Sequence, residues 1–207
     1  MIKLNLNNKI FLLVKICIIY LFISFESYAD DLKNKKDMIV IGSHDALVKI
    51  KVFSSLTCPH CANFHIEAVP KIKKEYVESG KAQLIFIDFP LDQAAFNASK
   101  LLHCSDKNIQ IKLLDRIYEK QNEWIVGADI NEINNNLKKI VKNLGISSNH
   151  FDKCLIDETV SDKILNGRID ANKKYSISAT PTIVINEKKL EGSANFKNIK
   201  KKIERLI

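Results

Sequence analysis

The stretch Ser54-Ser55-Leu56-Thr57-Cys58-Pro59-His60-Cys61 decides the fold, because an extended pattern gives way there to a helical one and two thiols fall one helical turn apart. Upstream, Leu47 to Phe53 alternates inward and outward residues and is rich in β-branched side chains, as a half-buried strand is. Downstream, Cys61, Phe64, Ala68, Ile72 and Tyr76 recur at steps of three and four, which predicts a helix from His60 to Val77. Pro59 suits the first helical position, where its missing N–H costs nothing. Cys58 is therefore expected at the N-cap, with the free amides of His60 and Cys61 pointing at its side chain.

That register gives the two sulfurs different tasks. The helix macrodipole and a protonated His60 both favour a thiolate at Cys58, whereas Cys61, a turn further in, is expected to be more buried and less ionised. Cys58 is then the sulfur that attacks or is attacked, and Cys61 resolves the mixed disulfide. A pair whose reduced form is stabilised in this way gives its disulfide away, so the dithiol is expected to be an oxidant. The competing interpretation of Cys-x-x-Cys is a metal site, which His65 extends to Cys58, Cys61 and His65 in a non-catalytic binding module. A closed zinc site wants four ligands at compact spacing, and Cys104 and Cys154 stand far off and singly.

The 207 residues suffice for one domain with a substantial core, or one domain carrying an insertion. At the N-terminus, Lys3 and Lys9 precede an apolar stretch from Ile16 to Phe25, and Ser27-Tyr28-Ala29 places small residues where a signal peptidase cuts. Residues 1–29 are thus expected to be a cleaved export signal, with a retained anchor as the alternative, and 30–207 the mature chain. Cys17 has no role after cleavage, and four mature cysteines remain for an oxidising compartment. The formal charge of +8 drops by two when Lys3, Lys9, Lys15 and Glu26 leave. Nucleic-acid binding does not follow from it. Lys197, Lys200, Lys201 and Lys202 share a helical stretch with Phe196, Ile199, Ile203 and Leu206, so they form a solvated face opposite a buried one.

Gly80 is placed to end the first helix, and Ala82 to Phe89 is a buried strand, so strand, helix and strand make a βαβ unit with a parallel pair. From Gln93 to about Tyr175 the pattern is helical: Ala94 to Cys104, Ile109 to Lys120, Ile130 to Leu144 ended by Gly145, and Ser148 to Tyr175 with a break near Asp157. Strand character returns at Thr182 to Ile185, a turn falls at Asn186-Glu187, a short partner runs from Lys188 to Glu191, and a last helix spans Asn195 to Leu206. His44, His103 and His150 show no site-forming spacing and are taken as surface or helix-end residues. Trp124, Phe53 and Phe64 are assigned to packing.

Over nearly all of Met38 to Ile207 the chain resembles the DsbA-like thiol-disulfide oxidoreductases. The resemblance rests on Ser54 to Cys61, on Phe89-Pro90-Leu91-Asp92, and on Ala179-Thr180-Pro181-Thr182 before the late strand. It implies an α/β thioredoxin fold with an inserted helical domain at about 93–160, a redox-active Cys58–Cys61 disulfide, and no cofactor. It implies that Pro181 is a cis-proline facing that disulfide, with the backbone of Thr180 turned toward an extended substrate segment. The Pro59-His60 dipeptide is typical of the oxidising branch. By resemblance, then, the chain is a monomeric periplasmic oxidase of reduced exported proteins, recharged by a membrane quinone-linked thiol oxidase. A reductase or isomerase is the nearest rival, although only Asp30 to Thr57 precede the motif, which leaves no room for the dimerisation domain of the isomerases. One departure stands out. Many relatives carry an acidic residue six positions before the first cysteine, thought to help move the proton of the buried second thiol, and here that position is Val52.

Compartment and parity lead Cys104 and Cys154, both on predicted helices of the insertion, to be expected as a structural disulfide. Similar paired cysteines occur in some DsbA-like relatives. The alternative is two separate buried thiols acting as small apolar side chains.

Overall fold

The computed structural model describes residues 38–207, and the expected signal at 1–29 lies outside them. Residues 39–207 form one compact unit. Five strands make its sheet: β1 Ile39–Ile41, β2 Val48–Ser54, β3 Ala82–Asp88, β4 Thr182–Ile185 and β5 Lys188–Lys189, in the order β1-β3-β2-β4-β5. β2 and β3 run parallel in the register Val48↔Ala82 through Ser54↔Asp88, as the βαβ pattern requires. β1 pairs antiparallel with β3, and β4 antiparallel with β2. β1 escaped the sequence reading because three residues are too few to show a period of two. It is set by Gly42, whose φ is +104° and where a Cβ would come within 2.7 Å of Val77 Cγ1, so only glycine turns the chain there.

Alternation along the strands sorts side chains to two cores. Val48, Ile50 and Val52 of β2, with Leu84 and Phe86 of β3 and Ile183 and Ile185 of β4, enter the larger core. Phe53 and Val184 point the other way, into a smaller cluster with Phe89, Ala171 and Ile177.

The helix predicted from His60 to Val77 is not continuous. α1 spans Pro59–Glu67, a short α2 spans Val69–Ile72, and Lys73–Val77 widens into a π-helical turn. Pro70 accounts for the break, since it has no N–H for the carbonyl one turn earlier and its ring crowds that turn. After β3 come α3 Gln93–Cys104, α4 Lys107–Glu119, α5 Gln121–Trp124, α6 Ile130–Val141, α7 Ser148–Leu155 and α8 Glu158–Tyr175. α7 and α8 part at Asp157, whose side chain caps α8 by accepting from the Val160 amide. Gly145 closes the helical segment after α6 in the left-handed region. Trp124 is fully buried and its indole N–H donates to the Ile117 carbonyl at 2.9 Å. Ala171 and Tyr175 bring the C-terminal end of α8 back to the sheet, in the smaller cluster. α9 Phe196–Ile203 buries Ile199 and Ile203 and leaves its lysines at the surface.

Candidate functional site: a dithiol at the start of a helix

The end of β2 and the start of α1 present both thiols. Cys58 is the N-cap of α1, with extended backbone angles (φ −76°, ψ 120°), and Pro59 follows in the first turn. Its carbonyl accepts from the amides of Cys61 and Ala62, at 3.0 and 3.1 Å. The expected amide bonds to the sulfur are not made. Cys58 Sγ instead donates to the Thr180 carbonyl at 3.3 Å, because a protonated thiol has a hydrogen to give and the nearest acceptor is across the groove. Cys58 and Cys61 are free thiols in this structure, and Cys58 keeps 8 % of its surface exposed against 1 % for Cys61. Burial pushes the Cys61 thiol up to about 12, against weaker opposing pulls from the Thr180 hydroxyl and the Ser55 backbone.

Three separated sequence pieces meet at the site: the motif itself, Leu91-Asp92 and Gln121. Thr57 Oγ1 donates to Asp92 Oδ2 at 2.6 Å, and the Leu91 amide donates to Ser55 Oγ at 3.3 Å. Asp92 in turn caps α3 through the Ala95 amide. From a third direction the fully buried Gln121 donates its Nε2 to the carbonyls of Leu56 and Cys58, at 2.8 and 3.1 Å. Sequence reasoning passed over Gln121, and only its place in a short polar break between two helical patterns could have drawn attention to it.

The Thr180–Pro181 peptide is cis, and both residues face the motif across a groove of about 660 Å³ that His60, Asn63 and Phe64 line from α1 and Phe196 from the far side. His60 is exposed at its rim. His65, the third ligand in the metal reading, is not gathered with the two thiols into a set of donor atoms close enough to share an ion: it is buried, with Nε2 2.7 Å from Asp115 Oδ1 and its ring tilted against Tyr118 at 4.7 Å. Among the described residues the one trio of donor atoms close enough for a metal is Cys104, His150 and Cys154, and its two sulfurs are joined to each other. That Cys104–Cys154 disulfide ties the end of α3 to α7, with Cα atoms 5.6 Å apart. His150 therefore sits beside it, its Nε2 3.4 Å from Cys154 Sγ.

His103 lies in the last turn of α3, at a helix end as expected, but the sequence reading missed its partner: it pairs with Asp88 at the end of β3, Nε2 to Oδ2 at 2.5 Å, while Ser99 Oγ donates to Asp88 Oδ1 at 2.5 Å. Burial works upward on Asp88, but the His103 charge and the bonds from His103 and Ser99 outweigh it and hold the carboxyl below its usual range.

A dithiol at a helix start, faced by a cis-proline loop and borne on a βαβ unit, defines the thioredoxin class of site. The family model for thioredoxin matches residues 33–205, and the chain belongs to that family. It is similar to the crystal structure of alpha-DsbA1 from Wolbachia pipientis, with a TM-score of 0.75 and 27% identity over 82% of this chain and 90% of that one. Disulfide bond formation protein D of Bacillus subtilis is 28% identical over 178 residues, 82% of this chain and 77% of the relative. A Rickettsia bellii relative named for protein-disulfide oxidoreductase activity is 27% identical over 154 residues, 74% of this chain but only 58% of its own length. The fold is thus the thioredoxin fold with an inserted helical domain, of the DsbA kind.

Proposed function

We propose that the chain is a thiol-disulfide oxidoreductase working as a dithiol oxidase, donating a Cys58–Cys61 disulfide to reduced exported proteins. The asymmetry of the two sulfurs carries this reading: Cys58 lies at the groove against Thr180, and Cys61 lies behind it with its proton held up to about 12. In the oxidised enzyme, a substrate thiolate attacks Cys58 Sγ and the bond to Cys61 breaks, its electron pair staying on Cys61, which takes up a proton. A second substrate thiolate then attacks the substrate sulfur of the mixed disulfide, forming the substrate's disulfide and releasing Cys58 with the other electron pair. Two electrons and two protons pass from substrate to enzyme. The groove beside Thr180 and Pro181 would receive the extended segment that carries the substrate cysteine, with the exposed backbone of that loop available for pairing.

Recharging reverses these steps on a partner disulfide, for which a membrane quinone-linked thiol oxidase is the matching class. Export to the periplasm with cleavage after Ala29 belongs to the same proposal. No helix among the described residues is long and apolar enough to cross a membrane, and N-terminal sequencing of the exported protein should begin at Asp30. The proposal takes the enzyme to act as a monomer. Equilibration of the Cys58–Cys61 pair against glutathione tests the direction of the chemistry. An oxidase stays reduced until the glutathione is mostly oxidised, and a pair that remains oxidised in largely reduced glutathione would make the protein a reductase.

A further inference from the structure

A second cluster of reactive side chains lies outside the dithiol motif. His150 and Cys154 stand four residues apart on α7, so the helix puts them on one face, and His150 Nε2 lies 3.4 Å from Cys154 Sγ. Cys104, the last residue of α3, meets them through the disulfide. The three donor atoms all lie within 4.8 Å of one another, with Cys154 buried and Cys104 and His150 half-buried. While the sulfurs are joined, neither carries the thiolate charge that a metal ion requires. Breaking the bond leaves two thiols and an imidazole gathered at one point.

Their spacing suits a tetrahedral ion. With metal–sulfur bonds of about 2.3 Å and metal–nitrogen bonds of about 2.0 Å, a nitrogen and a sulfur on one zinc ion stand about 3.6 Å apart and two sulfurs about 3.8 Å. The His150–Cys154 edge is already close to that length, so only the two sulfurs must part. Contacts independent of the disulfide hold the helices that carry them. The buried Lys100 ammonium of α3 donates to the Leu155 carbonyl of α7 at 2.5 Å, Phe151 of α7 is fully buried in the larger core, and Lys138 of α6 pairs with Asp152 at 2.7 Å. At the start of α7, Ser147 Oγ accepts from the His150 amide at 3.1 Å and fixes the backbone that bears the imidazole.

We propose that Cys104, His150 and Cys154, once their disulfide is reduced, form a binding site for a thiophilic divalent cation of the zinc class. Two thiolates and a neutral imidazole are ligands such an ion prefers, and together they cancel its charge. Among the described residues no fourth histidine, cysteine or carboxylate joins the group, so the fourth position falls to water. The exposed parts of Cys104 and His150 give the ion its way in. A dithiol reductant passes two electrons and two protons to the Cys104–Cys154 bond and becomes a disulfide itself. The ion then takes both sulfurs as their two protons leave to solvent. Oxidation of the pair by another disulfide reverses these steps and releases the ion. α3 and α7 are thus linked in both states, by a covalent bond in one and by the ion in the other. Because the ion binds only the dithiol, it draws the pair toward reduction, by about tenfold for each tenfold rise in free ion above the dissociation constant. The site works independently of the Cys58–Cys61 pair.

Cobalt(II) is the probe, since its colour reports thiolate ligands in tetrahedral geometry. In the full chain carrying Cys17→Ser, Cys58→Ser and Cys61→Ser, Cys104 and Cys154 are the remaining cysteines. Reduced by a phosphine that is then removed, this protein should take up a single equivalent of cobalt, with visible ligand-field bands and a sulfur-to-cobalt charge-transfer band, and zinc should bleach both. The oxidised protein should show neither. His150→Ala in the same background keeps both thiols and should weaken cobalt binding by about 100-fold or more, since even the groups that merely orient a ligand are worth about 10–100-fold. If reduction alone unfolds the chain, cobalt should restore the helical circular dichroism of the oxidised form, and failure to do so would overturn the site. A second measurement needs no cobalt: at buffered free zinc, the glutathione equilibrium of the Cys104–Cys154 pair should move toward the dithiol as zinc rises, and this movement should need far more zinc in His150→Ala. No coloured complex in the reduced protein, a complex that His150→Ala leaves at full affinity, or a glutathione equilibrium indifferent to zinc would each overturn the proposal.

Discussion

The Cys58 thiol and the Thr180 carbonyl, 122 residues apart in sequence, meet at 3.3 Å across the mouth of the groove, while Cys61 lies behind with 1 % of its surface exposed. One sulfur is thereby offered to a visiting chain and the other withheld from it. The same wall that accepts the Cys58 proton in the resting dithiol is where an incoming peptide would lie, so substrate and thiol compete for one backbone acceptor.

Reactivity toward a small alkylating reagent should follow this division. Cys61 in a Cys58→Ser protein is expected to resist iodoacetamide throughout the neutral range and to react only as pH approaches about 12, where burial places its ionisation. Mass spectrometry of samples quenched at successive pH values measures it. Appreciable labelling of Cys61 at pH 8 would contradict the burial that the resolving role needs.

Gln121 makes a second prediction. Its amide is the donor to the carbonyls of Leu56 and Cys58, and both bonds are buried. Gln121→Leu removes the donor and leaves the buried Leu56 carbonyl unsatisfied, while the Cys58 carbonyl keeps the amides of Cys61 and Ala62, so stability should fall by about 1–3 kcal/mol. Urea unfolding at constant slope measures the loss. A change below about 0.5 kcal/mol would mean the loop finds other donors.

Much of this site was legible because its residues are local. Strand, N-cap cysteine, Pro59 and helix all follow from eight consecutive residues and their flanks. The parts that were not legible come together from far apart. His103 shows no spacing with any other histidine because its partner is Asp88 on the sheet, 15 residues earlier. Gln121 looks like any polar residue between helices until α5 brings it against the motif. The break at Pro70 was legible, and periodicity alone carried the predicted helix across it.

The Cys104–Cys154 link closes a 50-residue separation. In the chain-entropy model a loop of that size stabilises the fold by roughly 4 kcal/mol. The double substitution Cys104→Ala and Cys154→Ala should therefore lower the unfolding midpoint and leave the Cys58–Cys61 glutathione equilibrium unchanged. Thiol counting in the denatured, air-oxidised protein gives an independent check, with zero free thiols expected. Two reactive thiols mapping to these residues would remove the link from the native protein.

At the β4–β5 turn, Asn186 and Glu187 both take positive φ, 44° and 66°, as a two-residue hairpin turn of this hand requires. Glutamate is an unusual residue there, and its carboxylate is gathered in by Lys51, by Lys174 at 2.7 Å and by the Tyr175 hydroxyl at 2.5 Å. Partial burial works upward on this carboxyl, but the bonds from Lys174, Lys51 and Tyr175 prevail and bring it from 4.5 down to about 2. A folded value below the unfolded one means the folded state holds the proton more weakly. The contribution is therefore full above the unfolded value of 4.5 and is lost as pH falls from there toward about 2. Because the side chain is half exposed, with 52 % of its surface open to solvent, the contribution is about 1 kcal/mol or less. Glu187→Gln should lower stability by that amount at pH 7, and the difference from the wild type should close between pH 4.5 and 2. Paired urea titrations at pH 7, 4 and 2.5 measure it. A difference that stays constant down to pH 2.5 would show that the substitution acts through the turn and not through the charge.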